Sequence, residues 1–207
     1  MNKLAKRFLY WLGVGIAVLL FLFFLIPEPK DNPYMRIYSM SDGDDFSGCE
    51  FSDGKKSGGV FRFHMVPEDC RLVVYDGGGV LTMSVEYPSM KLVGSQVGDS
   101  IITFRMFHVS NPPPYDTMAI FEGRGAIGTT NGMKVYEIGS GVTFRFTGDD
   151  GVEVAVSEMS SNFIAKRLFD DSRVSYQYQG IGNDLKKMDS FALSFLKRIM
   201  YGADEGK

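Results

Sequence analysis

Nineteen consecutive residues near the start of the chain, Phe8 to Ile26, carry no charge and no strongly polar side chain. As an α-helix rising 1.5 Å per residue, such a run spans about 28 Å, close to the ~30 Å of hydrocarbon in a bilayer. Lys3, Lys6 and Arg7 precede it, whereas Glu28, Lys30 and Asp31 follow nearly balanced. The positive-inside rule then predicts a cytosolic basic tail at residues 1–7 and a transmembrane anchor at 8–26. A spacer follows at 27–34, and an extracytoplasmic domain over 35–207. Tyr10 and Trp11 fall where amphipathic rings anchor at headgroups. The run ends Leu22, Phe23, Phe24, Leu25, Ile26, Pro27, bulky throughout. A cleaved signal has a shorter apolar core and small residues at its cleavage site, so this run is read as an uncleaved, single-pass signal anchor. The lipid bilayer is thereby one expected partner, held through residues 8–26.

The cysteines agree with export. Cys49 and Cys70, 21 positions apart, are the sole cysteines, and disulfides persist where the compartment oxidises. A bridge between them is expected. Neither Asn-Pro pair (Asn32, Asn111) nor any other asparagine forms a glycosylation acceptor. With the short basic tail, that favours a bacterial inner membrane and periplasm.

Charge narrows the partners. The chain has 22 basic and 25 acidic residues; three of the basic ones precede Glu28, leaving 19 against 25 in the remainder. An acidic domain lacks the clustered Lys and Arg that nucleic-acid phosphates demand, so no nucleic-acid partner is expected.

Beyond the spacer, glycines punctuate short apolar runs, the pattern of antiparallel β structure. The runs predict strands at Met35–Met40, Val60–Val66, Arg71–Tyr75, Val80–Tyr87, Ile101–Val109, Thr117–Glu122, Met133–Ile138, Val142–Thr147, Val152–Ser157 and Val174–Gln179. Several alternate with period two: Phe144 and Phe146 oppose Thr143, Arg145 and Thr147. Gly148-Asp149-Asp150-Gly151 reads as a hairpin turn. Ser160–Phe169 suits either a short helix or a strand. From Asp184 the period becomes helical, with Leu185, Met188, Phe191, Ala192, Phe195, Leu196 and Ile199 on one face and Asn183 or Asp184 as cap. The expected fold is mainly β: a transmembrane helix, then an antiparallel β-sandwich or partly open barrel with a C-terminal amphipathic helix.

Motifs for chemistry are scarce. Gly123-Arg-Gly-Ala-Ile-Gly128 matches a dinucleotide fingerprint in letters, but a strand-like run follows where the fingerprint needs a helix, so a glycine-rich turn is expected. His64 and His108 are too few for a zinc site. No Gly-x-Ser-x-Gly elbow exists, and Asp42, Asp44 and Asp45 do not continue as a calcium loop. Pro112-Pro113-Pro114-Tyr115 reads as a rigid connection. No cofactor, metal or catalytic residue is expected. The surface segment singled out for partner binding holds Asp42, Asp44, Asp45, Glu50 and Asp53, interleaved with Phe46 and Phe51. Acids steer a basic partner, and aromatic rings hold it.

These features point to a non-catalytic, membrane-anchored periplasmic binding protein whose partner is another, basic protein. Its specific form would be an immunity or inhibitor protein neutralising a toxic effector. The alternatives are a structural subunit of an envelope complex for secretion, division or wall maintenance, with Gly13 and Gly15 permitting close helix approach, and an envelope hydrolase using carboxylates such as Glu86, Asp99 or Glu122.

Overall fold

Period-two alternation decides the strands, and their register decides which face each side chain takes. A computed structural model describes residues 32–39, 46–54, 59–94, 98–108, 117–160, 162–179 and 184–202. The anchor at 8–26, the spacer up to Asp31, Asp42, Asp44, Asp45, Asn183 and the Pro112–Tyr115 segment lie outside the described residues. Among the described residues, no helix is long and apolar enough to cross a membrane.

Two antiparallel sheets form the domain. The smaller runs β1 (Met35–Tyr38), β2 (Gly48–Phe51), β3 (Phe61–Phe63) in that order. The larger is built from β4 (Val74–Tyr75), β5 (Val80–Glu86), β6 (Lys91–Val93), β7 (Ile101–His108), β8 (Gly128–Thr130), β9 (Met133–Ile138), β10 (Gly141–Thr147), β11 (Glu153–Met159), β12 (Asn162–Phe169) and β13 (Ser172–Gln179). Its order is β4-β5-β7-β13-β12-β11-β10-β9-β8, with β6 paired to the other end of β5. A short helix, α1 (Pro67–Cys70), lies between the sheets in sequence, and the long helix α2 (Leu185–Tyr201) closes the described chain. The mainly β, antiparallel class with a C-terminal helix is therefore what forms.

The core lies between the larger sheet and α2. Leu81, Met83, Val85, Ile102, Phe104, Met106, Val154, Val156, Val174 and Tyr176 point from alternate positions of the strands toward the apolar face of α2. Phe104 meets Phe195 at 5.0 Å between ring centroids. The Asp184 side chain accepts a hydrogen bond from the Lys187 amide at 3.1 Å, capping α2 as expected. Phe51, Phe61 and Phe63 of the smaller sheet join the same core through Tyr75. Cys49 on β2 is bridged to Cys70 of α1, with Cα atoms 6.1 Å apart.

The structure corrects some expected strands. Val60–Val66 shortens to β3 because the His64 amide donates to the Ile199 carbonyl of α2 (2.6 Å), leaving the sheet ladder. The run Arg71–Tyr75 keeps only Val74–Tyr75, since Pro67 starts the turn of α1 just before it. Thr117–Glu122 forms a 3-10 turn at Ala119–Phe121. Thr117 and Phe121 are buried while Ala119 between them is exposed, so burial does not alternate as it would along a strand. Ser160–Phe169 resolves as β12, with Ala165, Arg167 and Phe169 inward. β2, β6 and β8 are strands that the apolar runs did not mark.

Arg167 is the largest fully buried side chain of the domain. One guanidinium nitrogen donates to both carboxylate oxygens of Asp189 at 2.7 Å, and the other pairs with Asp150 of the β10–β11 turn. The Tyr176 hydroxyl donates to Asp189 at 2.8 Å. Asp149, beside Asp150, accepts from the Ser190 hydroxyl of α2 at 2.5 Å. The turn, the sheet and the helix are thus fastened at one point. Burial would lower the Arg167 pKa, but Asp189 and Asp150 more than offset it and raise the value. Burial pushes the Asp189 carboxyl up while Arg167 and Tyr176 pull it back, and burial with the neighbouring Asp189 pushes Tyr176 well above the ordinary phenol.

Breaking this knot has a defined signature. Asp189→Asn removes the fully buried, bidentate partner of Arg167 and leaves it Asp150 alone, and we expect a loss of about 3 kcal/mol. Asp150→Asn, which leaves the Arg167–Asp189 pair intact, should cost less. Gly148→Ala would place a methyl 2.6 Å from the Asp189 Oδ2 and cost about 1–3 kcal/mol. Urea unfolding of the three variants tests the ranking; equal losses for Asp189→Asn and Asp150→Asn would contradict it.

Candidate functional site

Because α2 occupies one face of the larger sheet, the other face is left for contacts. Side chains at its alternate positions mix polar groups with apolar ones such as Ile101, Phe107, Ile164 and Leu168, and the sheet divides into two halves by what covers them. Over β9–β11 the 3-10 turn lies on the sheet: Phe121 packs on Tyr136 (4.5 Å between centroids) and on Ala155. There the polar groups satisfy one another. Thr143 and Ser157 share a hydrogen bond of 3.1 Å, Arg145 donates to Glu153 at 2.5 Å, and the Thr147 hydroxyl donates to Glu153 at 2.7 Å. Hydrogen bonds from Thr147 and Arg145 hold the Glu153 carboxyl below the ordinary range.

The other half, over β5, β7, β13 and β12, carries a concavity of about 260 Å³. Its lining joins Gly98, Ile101 and Tyr178 to seven polar side chains, whose placing is set by register. Ser84 lies opposite Thr103, which lies opposite Gln177; Thr82 lies opposite Arg105; Asn162 lies opposite Gln179. None of these seven side chains makes a hydrogen bond or ion pair with another protein group among the described residues. Among the described residues no carboxylate lines the concavity. Arg105 is exposed, and Lys166 and Arg173 stand on the same face of the neighbouring strands. Sequence reading did not find this site. Its signal was the period-two placing of small polar residues in Val80–Glu86, Ile101–His108 and Ser172–Gln179, which the assignment of strands to these runs left unused.

The segment expected to bind a partner is placed in part. Phe51 is 0% exposed and belongs to the core, so its ring is not presented to solvent. Phe46 is half-buried, edge-on to Tyr38 (5.7 Å) and to the exposed His64 (4.8 Å). Glu50 lies in register between Arg36 of β1 and Arg62 of β3, and the Arg62 Nε donates to its carboxylate at 2.9 Å. Asp53 accepts from the Gly78 amide at 3.3 Å. Glu50 and Asp53 line, with Tyr34, Arg36 and Ser52, a surface hollow of about 330 Å³. Two arginines thus flank the one acid of β2. Asp42, Asp44 and Asp45 lie outside the described residues.

The remaining nominees are scattered. Glu86 of β5 accepts from the Ser89 hydroxyl at 2.7 Å, Asp99 sits in the turn before β7, and Glu122 follows the 3-10 turn beside β9. Five strands separate β5 from β9 in the sheet, so Glu86 and Glu122 do not share a cleft. His108 packs on Phe61 (5.4 Å), far in sequence from His64. Among the described residues no three His, Cys, Asp or Glu side chains gather as a metal set. The glycine-rich run ends in β8 and a turn at Asn131-Gly132, not a helix.

Comparison with known proteins finds no matching family model, no similar curated protein and no solved structure of matching fold.

Glu153 gives the covered half a pH signature. A carboxyl held below its unfolded value stabilises the fold above the unfolded pKa, and that contribution is lost as pH falls through the folded pKa. Glu153 is partly exposed, so Glu153→Gln should cost only about 0.5–1 kcal/mol at pH 7. The difference from the parent should shrink between pH 7 and an acid pH well below the ordinary carboxylate range. Unfolding curves at the two pH values check this, and a cost that persists undiminished in acid would contradict it.

Proposed function

We propose that this chain is a non-catalytic binding protein, tethered by residues 8–26 and working on the extracytoplasmic side of a bacterial inner membrane. The observation that carries the reading is the Cys49–Cys70 bridge. It uses the whole cysteine complement of the chain, and its sulfurs are buried beneath the smaller sheet. A bridge of this kind belongs to an oxidising compartment. Charge asymmetry about the apolar run sends the domain to that same side.

The expected partner is another protein, met through the segment Asp42–Asp53. Asp42, Asp44, Asp45 and Asp53 supply charge, and the half-buried Phe46 supplies an aromatic ring at the edge of the Tyr38–His64 cluster. In its most specific form the protein is an inhibitor that shields the cell by occluding the basic cleft of a toxic enzyme. Glu50, already engaged by Arg62 between two arginines, serves the sheet more than the partner.

The test is chemical. In cells quenched with acid and then denatured, a maleimide should label neither cysteine before reduction and both after it. A free thiol on either cysteine without reductant would refute the extracytoplasmic reading. In the purified full-length chain, closing the loop should stabilise the fold by about 3 kcal/mol over the reduced form, read as the change in urea midpoint. The inhibitor form requires that deletion sensitise cells to sibling attack. Unchanged survival would leave the tether and remove that form.

A further inference from the structure

We infer that the concavity over β5, β7, β13 and β12 binds a carboxylate-bearing sugar unit. Three observations lead there. First, polar groups on the covered half of the same face pair with one another (Thr143 with Ser157, Arg145 and Thr147 with Glu153), whereas the seven polar side chains lining the concavity have no such partner among the described residues. Ser84, Thr103, Gln177, Asn162 and Gln179 therefore present unspent donors and acceptors from adjacent strands. Strand spacing fixes these groups about 4.8 Å apart across the sheet, on a scaffold whose opposite face is locked by α2.

Second, the chemistry of that grid is mixed. Hydroxyls and carboxamides each donate and accept. They match a ligand whose own groups do both, such as sugar hydroxyls or an N-acyl group. A phosphate or sulfate only accepts, and would leave the carboxamide oxygens facing like charge. Third, among the described residues the concavity holds one guanidinium, Arg105, and no carboxylate. A planar fork suits one carboxylate in bidentate geometry. Lys166 and Arg173 nearby favour an anion but stand outside the lining.

Size and floor decide against a protein surface as the occupant. A space of about 260 Å³ accepts a group of ring dimensions, and the floor lacks the exposed aromatic anchors that carry binding energy between proteins. This site is separate from the Asp42–Asp53 segment, and binding in solution does not depend on the tether or its orientation.

The experiment uses the full-length chain in a non-glycosidic detergent. Binding of D-glucuronate, D-glucose and acetate is measured by ligand-observed NMR and by calorimetry. Glucuronate should bind at least tenfold more tightly than glucose or acetate. Arg105→Gln should weaken glucuronate about ten- to hundredfold, down to the level of glucose. Gln177→Ala should weaken both sugars and leave acetate unchanged. A glucuronate oligomer as a further arm separates a free acid from a polymer as the natural source. Arg105 is exposed, and Lys187→Ala, on the exposed face of α2, serves as the control for a change of charge; thermal melts check that each variant folds. Acetate binding as tightly as glucuronate, glucuronate binding indifferent to Arg105→Gln, or no glucuronate binding at millimolar concentration would each overturn the inference. None of these results bears on the thiol-labelling test, so the two proposals fail independently.

Discussion

The buried guanidinium of Arg167 is the constraint around which the domain is organised. A charge with no access to solvent is tolerable only if its partners arrive with it. Those partners come from three places in the chain: Asp150 from a hairpin turn, Asp189 from α2, and Tyr176, beside Asp189, from the adjacent strand. Loss of Asp189 would leave Arg167 with Asp150 alone, and loss of Tyr176 would leave Asp189 one hydrogen bond short. The helix is therefore held at one rotation and one height on the sheet, which apolar packing alone specifies less tightly. Gly148 belongs to the same arrangement. A Cβ there would crowd Asp189 and Arg167, so the turn needs glycine at this position for space.

Fixing α2 has a consequence for function. Once one face of the larger sheet is buried, recognition falls to the other face, to the sheet edges or to the smaller sheet. The polar face is not uniform. Where the 3-10 turn covers it, hydroxyls and charges close on each other and become part of the stability of the fold. Where the turn does not reach, the same kinds of side chain remain available. The difference between scaffold and site on this sheet is thus made by one short connection, whose Phe121 and Thr117 are buried while Glu122 and the glycines after it stay exposed.

How much of this was legible in the sequence depends on how many physical terms each residue obeys at once. Met133–Ile138, the Gly148–Gly151 hairpin and the helix from Leu185 follow a single period, and they form where the pattern says. β12 was ambiguous because Arg167 occupies an inward slot that the period reserves for an apolar residue. Asp189 was overlooked for the same reason: it sits on the apolar stripe of α2 between Met188 and Ala192. Each looks like a lapse in its own element, and only the tertiary fold shows that the two lapses answer each other. A lone charge on each of two apolar faces was the available signal. The partner segment fared differently. Cys49 and Cys70 were legible because sulfur chemistry narrows the options, whereas Phe51 carries no local mark distinguishing an inward ring from a presented one. The open polar grid was illegible because nothing local distinguishes a threonine that will find a partner from one that will not.

The two fastenings of the molecule respond to different conditions. The smaller sheet has three short strands, too few to be stable without packing or a covalent tie. It receives both: its aromatic rings enter the common core, and the disulfide joins β2 to α1. Its integrity is therefore linked to redox state. The larger sheet and α2 depend instead on ionised groups. Asp189 and Glu153 lie on opposite sides of that sheet and are shifted in opposite directions, one raised by burial and one lowered by hydrogen bonds. As pH falls, the raised group takes up its proton before the lowered one, and Arg167 is then left with Asp150 as its ionised partner. Acid thus relaxes the helix-side knot and loosens the far-side pairs at different points. The sheet between them is held by backbone hydrogen bonds that neither event touches.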